Sequence, residues 1–274
     1  PERYPRQSSF IKVFDVSDRT EPELVKKIDF QGNYLTARMI GGRVYSIFTQ
    51  RATPQNPQPV YAVDGELAGV LPQEINYFDY EANCYQETSN YQVTTIIGLD
   101  LSGLEKQEFR KIVLMASAQN LFVSKDNAFV TYTRANTAFR SWETNGETLP
   151  PFPGDEYSEY TEIHKFSLDE DITYQGSGEV PGHVLNQFSM DEFDGYFRIA
   201  TTIGQVHGRQ GIAADDEREL SKNNLYVLDD SLQVVGELEG LARGEKIYSA
   251  SFMGNRAYLV TFKKVDPLFV IDLS

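Results

Sequence analysis

The feature that most limits the fold of this chain is an internal repeat. Two kinds of segment alternate along its 274 residues. The first is an apolar strand that ends in a polar step, such as FIKVFDVSD at 10–18 and PLFVIDLS at 267–274. The second is a hairpin, such as YLTARMIGGRVYSIFTQ at 34–50 and IYSASFMGNRAYLVTF at 247–262. This alternation predicts repeated units of four strands each.

The length of the unit follows from equivalent residues at the ends of the apolar strands, which are Asp15, Asp100, Ser167, Asp229 and Asp272. Consecutive markers lie 85, 67, 62 and 43 residues apart. Long polar insertions interrupt the repeat at 51–93, 135–160 and 203–222. Without them the spacings are 42, 41, 42 and 43 residues. A unit of roughly 40 to 50 residues with four strands is the size of one β-propeller blade.

Composition agrees with an all-β fold. Aromatic residues, which are enriched in strands, make up 12% of the chain. The hairpin turns IGGR, KDNA and MGNR contain Gly, Asn and Asp, which tolerate the positive φ of tight turns. No segment has an apolar 3.6-residue period long enough for a helix of more than two or three turns. We therefore predict a β-propeller of four-stranded antiparallel blades, with about four to five blade equivalents in this chain.

The order of the strands suggests that the propeller is larger than this chain. With the blade strands named a to d from the channel outward, the chain reads c-d, three full a-b-c-d sets and a-b-c, about 17 strands in all. The terminal strands could share one sheet only if one strand c were redundant. Residues 1–274 are therefore expected to form one propeller domain or a segment of a longer one, the alternative being a five-bladed ring with an incomplete blade. An open arc would leave unpaired edges and exposed blade faces.

Three stretches carry a resemblance to a known family. They are GSGEVPGHVLNQFSMDEFDGYFRIATT at 176–202, NNLYVLDDSLQVVGELEGLARGEKIYSASFMGNRAYLVTF at 223–262 and KKVDPLFVIDLS at 263–274. They resemble a family of predicted secreted archaeal and bacterial proteins with a C-terminal β-propeller domain distantly related to WD40 repeats. The resemblance implies a propeller, export to the cell surface or beyond, and a parent chain that continues past Ser274. It implies no reaction.

The charge of the chain excludes some partners. The formal net charge of -15 repels nucleic-acid phosphates and anionic lipid headgroups, so we expect no nucleic acid as a partner. No apolar run of about 18 residues is present, so we expect no membrane insertion in this segment. The single cysteine, Cys84, could be a reactive thiol or pair with a cysteine elsewhere.

The three insertions are the expected binding surface. Each follows a strand b, so all three should lie on one face of the propeller. The first two have net charges of -5 and -4, which makes that face acidic. Aromatic side chains beside carboxylates can stack on sugars or anchor a protein, although such rings can also form the small core of a long loop. The candidate binding residues of the insertions are Trp142, Tyr157, Tyr160, Tyr80 and Tyr85.

Two acidic runs are weak candidates for calcium, a hard cation that prefers oxygen ligands. They contain Asp155 and Glu156 in DEYSE, and Asp215 and Asp216 in DDERE. Neither run has the alternation of an EF-hand loop, and charge runs are usually solvated. No cofactor is otherwise expected. No nucleophile elbow, P-loop, zinc spacing or dinucleotide fingerprint is present, so no catalytic residue is assigned.

The sequence favours a non-catalytic extracellular or cell-surface binding or scaffold module that holds a protein or a glycan. The alternative is a hydrolase or lyase that acts on polysaccharide with two carboxylates at the channel mouth, with or without calcium.

Residues 178–202, GEVPGHVLNQFSMDEFDGYFRIATT, place a histidine and two aspartates within twelve positions. The repeat predicts strand a at 184–189, a turn at 191–194 and strand b at 196–201, so His183 should lie at the opposite end of the hairpin from Asp191 and Asp194. We expect His183 to join the d-to-a loop to a hydrogen-bond network, with ligand binding as the alternative. The aspartates are expected to cap the turn.

Overall fold

The computed structural model of the chain describes residues 8–51, 60–69, 75–76, 92–101, 110–114, 118–136, 143–144, 147–148, 158–168, 171–204, 221–262 and 267–274. These residues form 23 strands and one 3₁₀ turn, with no α-helix among them. The all-β prediction is therefore confirmed. Within this part of the chain, no helix has the length and apolar character that crossing a bilayer requires.

Nine strands lie in residues 8–114: β1 (Ser8–Asp15), β2 (Glu23–Gln31), β3 (Asn33–Ile40), β4 (Arg43–Arg51), β5 (Val60–Val63), β6 (Glu66–Gly69), β7 (Ile75–Asn76), β8 (Gln92–Asp100) and β9 (Arg110–Leu114). Fourteen lie in residues 120–272: β10 (Asn120–Val123), β11 (Asn127–Asn136), β12 (Glu143–Thr144), β13 (Glu147–Thr148), β14 (Ser158–Ser167), β15 (Thr173–Pro181), β16 (His183–Val184), β17 (Met190–Phe193), β18 (Tyr196–Ile203), β19 (Lys222–Leu228), β20 (Val234–Leu241), β21 (Lys246–Met253), β22 (Arg256–Phe262) and β23 (Leu268–Asp272).

The strands pair in the order that the repeat predicts. Three sheets have the a-b-c-d path: β3-β4-β8-β9, β10-β11-β14-β15 and β16-β18-β19-β20. They are preceded by the antiparallel pair β1-β2 and followed by the three-stranded sheet β21-β22-β23. Five of the six strands beyond the predicted 17 belong to the insertions, and the sixth arises because one strand a is divided. Sheets in this order are consistent with part of a β-propeller.

Part of the first insertion is strand. Its hairpin β5-β6 pairs with β2 and extends the first sheet at the outer edge of strand d. Asp64 makes the turn with φ of 50° and clamps it to β2, because the amide of Lys27 donates to Asp64 Oδ1 over 2.8 Å. Strand β7 of the same insertion pairs in parallel with β9. In the second insertion, β12 and β13 form a separate hairpin.

The chain divides into two compact units. The first contains Pro1–Gln119, Lys125–Asn127 and Phe166–Tyr174, and the second contains Asn120–Ser124, Ala128–Lys165 and Gln175–Ser274. In the first unit, apolar side chains of β1 and β2 pack on the sheet of β4 and β8. The rings of Phe30 and Phe48 stack there with centroids 4.2 Å apart. Burial of this face removes large apolar side chains from water and holds the two sheets together.

The second unit contains two apolar seams. One lies between the sheets of β11 and β18, where the rings of Phe129 and Phe197 stack with centroids 4.1 Å apart. The other lies between the sheets of β18 and β22, and includes Ala200, Leu225 and Leu259. Both faces of the middle sheet are thus buried, as expected for a blade with a neighbour on each side.

The predicted strand a at 184–189 is wrong in part. The strand breaks after Val184, a 3₁₀ turn occupies Gln187–Ser189, and pairing resumes at Met190. The side chain of Asn186 caps this turn by accepting a hydrogen bond of 2.9 Å from the amide of Phe188. An asparagine side chain that bonds the backbone locally competes with the ladder between strands, which explains the interruption.

Candidate functional site

The polar side chains of the repeat concentrate where strand d of one sheet passes to strand a of the next. We call these connections the corners. Three described corners contain a glycine with positive φ: Gly32 at 120°, Gly182 at 93° and Gly244 at 82°. A Cβ atom on Gly182 would lie 2.8 Å from the carbonyl oxygen of Thr202, and one on Gly32 would lie 2.6 Å from that of Thr49. Glycine is therefore required at the Gly32 and Gly182 corners by both backbone conformation and space.

At the Gly32 corner, in the first unit, a serine of strand c holds the connection. The hydroxyl of Ser9 donates to the carbonyl of Gly32 over 2.9 Å. The Oγ of Ser9 also accepts a hydrogen bond from the amide of Tyr34 over 3.0 Å. One hydroxyl thus satisfies two backbone groups where the chain leaves one sheet for the next.

At the Gly182 corner, in the second unit, strand β14 supplies the partners. The amide of Gly182 donates to the carbonyl of Glu159 over 2.7 Å, and the Thr161 hydroxyl donates to the carbonyl of Gly182 over 2.6 Å. The Thr201 hydroxyl bonds the carbonyl of Pro181 over 2.7 Å. The backbone of this corner is thus held by side chains from the strands on both sides of it.

The imidazole of His183 adds a contact between side chains. Its Nδ1 lies 2.8 Å from Oε2 of Glu159. The Glu159 side chain is 13% exposed and that of His183 is 39% exposed, so the pair lies at the surface with its carboxylate largely covered. Because Nδ1 is engaged, a ligand would meet His183 at Nε2. The structure thus shows the network around His183 that the sequence predicts.

The Gly244 corner, also in the second unit, is held by side chains at the start of β19 and in β22. The hydroxyl of Ser221 and the side-chain Nδ2 of Asn223 both donate to the carbonyl of Glu245, over 2.7 and 3.2 Å. The carboxylate of Glu245 accepts from the buried hydroxyl of Thr261 over 2.5 Å. Because its carboxylate is held internally, the Gly244 corner offers less to a ligand than the Gly182 corner.

The position of His183 relates it to two insertions. Along the hairpin, His183 pairs with Thr202, which is one residue before the end of β18, where the third insertion leaves the sheet. Its partner Glu159 is the second residue of β14, where the second insertion returns to a strand. His183 therefore lies between the attachment points of the insertions at 135–160 and 203–222. We use the name His183 corner for the pair of His183 and Glu159, which is part of the Gly182 corner described above.

The two aspartates of the same hairpin lie at its other end, as predicted, but their role differs from the prediction. The turn is made by Asp194 and Gly195, with φ of 53° and 81°. Asp191 lies in β17 opposite Arg198, and its Oδ2 accepts from Nε of Arg198 over 3.0 Å and also from Nη2. The expectation that Asp191 caps the turn is therefore wrong, because a buried arginine across the strand pair provides a charged donor.

Arg198 also joins neighbouring hairpins. Its Nη1 donates to the carbonyl of Gly254 over 2.6 Å, in the turn between β21 and β22. The guanidinium lies over the rings of Phe193 and Phe252, at 4.9 and 5.3 Å from their centroids. The side chain of Arg198 is 4% exposed. Arg198 therefore stabilises the contact between sheets and is not available to a ligand.

Of the candidate residues in the insertions, the structure describes Tyr160. It lies in β14 next to Glu159 and is 38% exposed. Consecutive residues of a strand point to opposite faces, so Tyr160 does not share the face of Glu159. The remaining candidates lie outside the described residues: Trp142, Tyr157, Tyr80, Tyr85, Asp155, Glu156, Asp215, Asp216 and Cys84. Among the residues that are described, no group of three or more His, Cys, Asp or Glu side chains could hold a metal ion.

Sequence reasoning missed Glu159 and Thr161 as partners of the corner. A signal was available, because Ser9, Thr161 and Asn223 are polar residues near the start of a strand c, and each donates to the following corner. Aligning the units by their strands c would have revealed the shared position. The carboxylate partner of His183 would still have been missed, since the equivalent residue of the next unit is Ser221.

Comparison with known proteins supports the fold. Residues 1–274 match the family model described as "Beta propeller domain". An uncharacterized protein of Methanocaldococcus jannaschii is 30% identical over 96% of this chain and 49% of its own length. An uncharacterized protein of Archaeoglobus fulgidus is 26% identical over 96% of this chain and 48% of its own length. The chain thus spans about half the length of these relatives.

Among solved structures, a mutant of Synechocystis apocarotenoid oxygenase is 11% identical over 86% of this chain and 57% of that chain. The TM-score is 0.36, a level of likeness from which we draw nothing about activity.

Proposed function

This chain belongs to the β-propeller domain family, and we propose that it is a non-catalytic binding or scaffold module that holds a protein or glycan partner beside the His183 corner. We further propose that it acts outside the cell or in the cell envelope. The observation that carries the binding proposal is the position of His183 between the attachment points of two insertions, with its imidazole oriented by Glu159 over 2.8 Å.

The chemistry of the His183 corner suits recognition. An imidazole that is fixed at Nδ1 presents Nε2 to a hydroxyl or amide without further loss of side-chain freedom. The sequence of the second insertion carries a net charge of -4, which favours a partner with basic or neutral polar groups.

The proposal is tested by binding on a glycan array and by titration with purified candidate proteins, using the wild type and two variants of one residue. In His183→Asn, the side-chain amide can replace the Nδ1 contact with Glu159 while Nε2 is lost. In His183→Ala, both contacts are lost. We expect both variants to weaken binding about tenfold or more, which is the value of one good hydrogen bond to a ligand, while His183→Asn keeps the stability of the wild type.

Each possible result bears on the proposal. Unchanged binding by His183→Ala would remove the His183 corner from the binding surface and leave the imidazole as a structural element. Release of new reducing ends or unsaturated sugars from a polysaccharide would favour a hydrolase or lyase over a scaffold. Titration with calcium alone is included, since tight binding would show a metal site, for which the acidic runs at 155–156 and 215–216 are the candidates.

A further inference from the structure

The outer strand β20 differs in its side chains from β15, the equivalent strand of the preceding sheet. Both are strands d, and within the described part of the chain neither has a strand paired on its outer side. The exposed side chains of β15 are all polar: Thr173, Gln175, Ser177 and Glu179. In contrast, β20 exposes Val234, Val235 and Leu238, at 42%, 56% and 39%. Exposed apolar side chains along an outer strand are typical of a contact surface.

The first unit shows that the outer edge of a strand d accepts a further strand in this protein. Strand β5 pairs with β2 over three residues, from Ile28 to Phe30. Strand β7 pairs with the outer side of β9 in the parallel direction. The ladder between β20 and β19 is regular over three residues, from Gly236 to Leu238, between two shifts of register. A short extended segment therefore fits the outer edge of β20 as β5 fits that of β2.

The two faces of β20 offer different chemistry to such a segment. Leu238 pairs with Leu225, on the face of the seam between the sheets of β18 and β22. Glu237 pairs with Tyr226 on the opposite face, because successive side chains of a strand alternate. Glu239 lies on the face of Glu237, where its carboxylate accepts from the Tyr226 hydroxyl over 2.6 Å. An added strand would therefore meet an apolar side chain on one face and two carboxylates on the other.

The charge of β20 indicates which segment suits this edge. Residues 234–241 contain two glutamates and no lysine or arginine, and both glutamates are exposed. Across two paired strands, opposite charges stabilise and like charges destabilise the pairing. A second copy of β20 would bring carboxylates towards carboxylates, whereas a strand with basic side chains would neutralise them. The charge thus favours a basic partner over a copy of this chain.

We propose that the outer edge of β20 is a docking site for an extended peptide segment of a partner protein, in which basic residues alternate with apolar ones. The basic residues face Glu237 and Glu239, and the apolar residues lie beside Leu238. Hydrogen bonds between the two backbones supply affinity, and the alternating side chains supply specificity. The inference does not depend on the ligand proposed for the His183 corner, which uses other residues.

The test measures binding of a synthetic peptide of about six residues, in which lysine and valine alternate, to the full-length protein by calorimetry. We expect Glu237→Lys to weaken binding about threefold to tenfold, because an attractive pair across the strands becomes repulsive. The matched control is Glu179→Lys, the same change at an exposed glutamate of β15, and it should leave the affinity unchanged. His183→Ala should bind this peptide as the wild type does, so the two binding proposals fail separately.

A second peptide separates strand pairing from attraction by charge alone. When every backbone nitrogen is methylated, the peptide keeps its charges but cannot donate to β20, and we expect its binding to be lost. Hydrogen exchange supplies a direct readout. Alternate amides of β20 should exchange fast in the free protein and slowly when the unmethylated peptide is bound.

Several results would overturn the proposal. They are no binding of the unmethylated peptide, equal binding of the methylated one, or the same loss of affinity in Glu179→Lys as in Glu237→Lys. Slow exchange of all β20 amides before peptide is added would show that another part of the protein covers the edge. A dimer in light scattering that Glu237→Lys alters would show that a second copy occupies it.

Discussion

His183 and Glu159 are joined by a contact of 2.8 Å between Nδ1 and Oε2, although 24 residues separate them in the chain. The contact links the start of a strand a to the start of the strand c in the preceding sheet. A connection between two sheets is thereby held at its side chains as well as its backbone. The contact at Nδ1 also fixes the direction of Nε2. Because the imidazole is part exposed, Nε2 can be reached by a ligand at the proposed binding surface.

We expect the carboxylate of Glu159 to contribute modestly to stability. Glu159→Ala removes the partner of Nδ1 and should lower the free energy of unfolding by about 0.5–1.5 kcal/mol, the net value of one hydrogen bond. Glu159→Gln keeps an acceptor oxygen and should cost less. Urea denaturation measures both, and nitrogen chemical shifts of the imidazole report its tautomer. Equal stabilities for Glu159→Ala and the wild type would show that the contact is not maintained in solution.

Gly182 should be among the least replaceable residues of the second unit. Gly182→Ala forces an L-residue to φ of 93° and brings its Cβ to 2.8 Å from the carbonyl oxygen of Thr202. We expect a loss of about 2–4 kcal/mol, since backbone strain and a steric clash add. The matched control is Gly254→Ala, at φ of 54° with open space around the new Cβ, where about 1 kcal/mol of strain is expected. Similar losses at both positions, measured by chemical denaturation, would contradict the clash.

The contacts of Arg198 should contribute more to the free energy of unfolding than an ion pair at the surface does. Arg198→Met leaves Asp191 without its charged partner and removes the bond to Gly254, so we expect a loss of about 2–4 kcal/mol. The control is Asp230→Asn, whose carboxylate contacts Lys165 at 2.5 Å but is 90% exposed, and about 0–1 kcal/mol is expected. Thermal unfolding followed by circular dichroism ranks the two variants. A larger effect at Asp230 would reverse the interpretation.

The buried phenol of Tyr226 should make the stability of the protein depend on pH in the alkaline range. Burial, and next the hydrogen bond of 2.6 Å to Glu239, raise the pKa of this phenol above its ordinary value. The stabilising contribution is therefore fully present below about pH 10, the pKa of an exposed tyrosine. Above that pH it declines, because the unfolded chain loses its phenolic proton before the folded chain does.

The variant Tyr226→Phe isolates this effect. Urea denaturation should be followed between about pH 9.5 and 11, a range that covers the ordinary pKa of a tyrosine. In this range the free energy of unfolding should fall less steeply with pH for the variant than for the wild type. Near pH 7 the variant should be less stable by about 1 kcal/mol, for the lost bond to Glu239. Identical slopes in the alkaline range would mean that Tyr226 ionises as readily when folded as when unfolded.

The sequence by itself determined the strand order of this protein. Alternating apolar residues and the glycine turns at Gly41, Gly195 and Gly254 act within single hairpins, so their pattern predicts the blades and the incomplete sheet at β21–β23. It also places His183 and the aspartates of its hairpin at opposite ends, because a strand has a fixed rise per residue.

Only the tertiary structure decided which polar side chains meet. Glu159 reaches His183, and Arg198 reaches Gly254, because two sheets pack with a particular register, which no local period encodes. The break in strand a at Asn186 depends likewise on a side chain that outcompetes the ladder. The repeat in the sequence specifies the strands of each unit and their order, since the strands of one sheet are hydrogen-bonded to their neighbours within that unit. The chemistry at a corner depends on residues that come together only when neighbouring units pack.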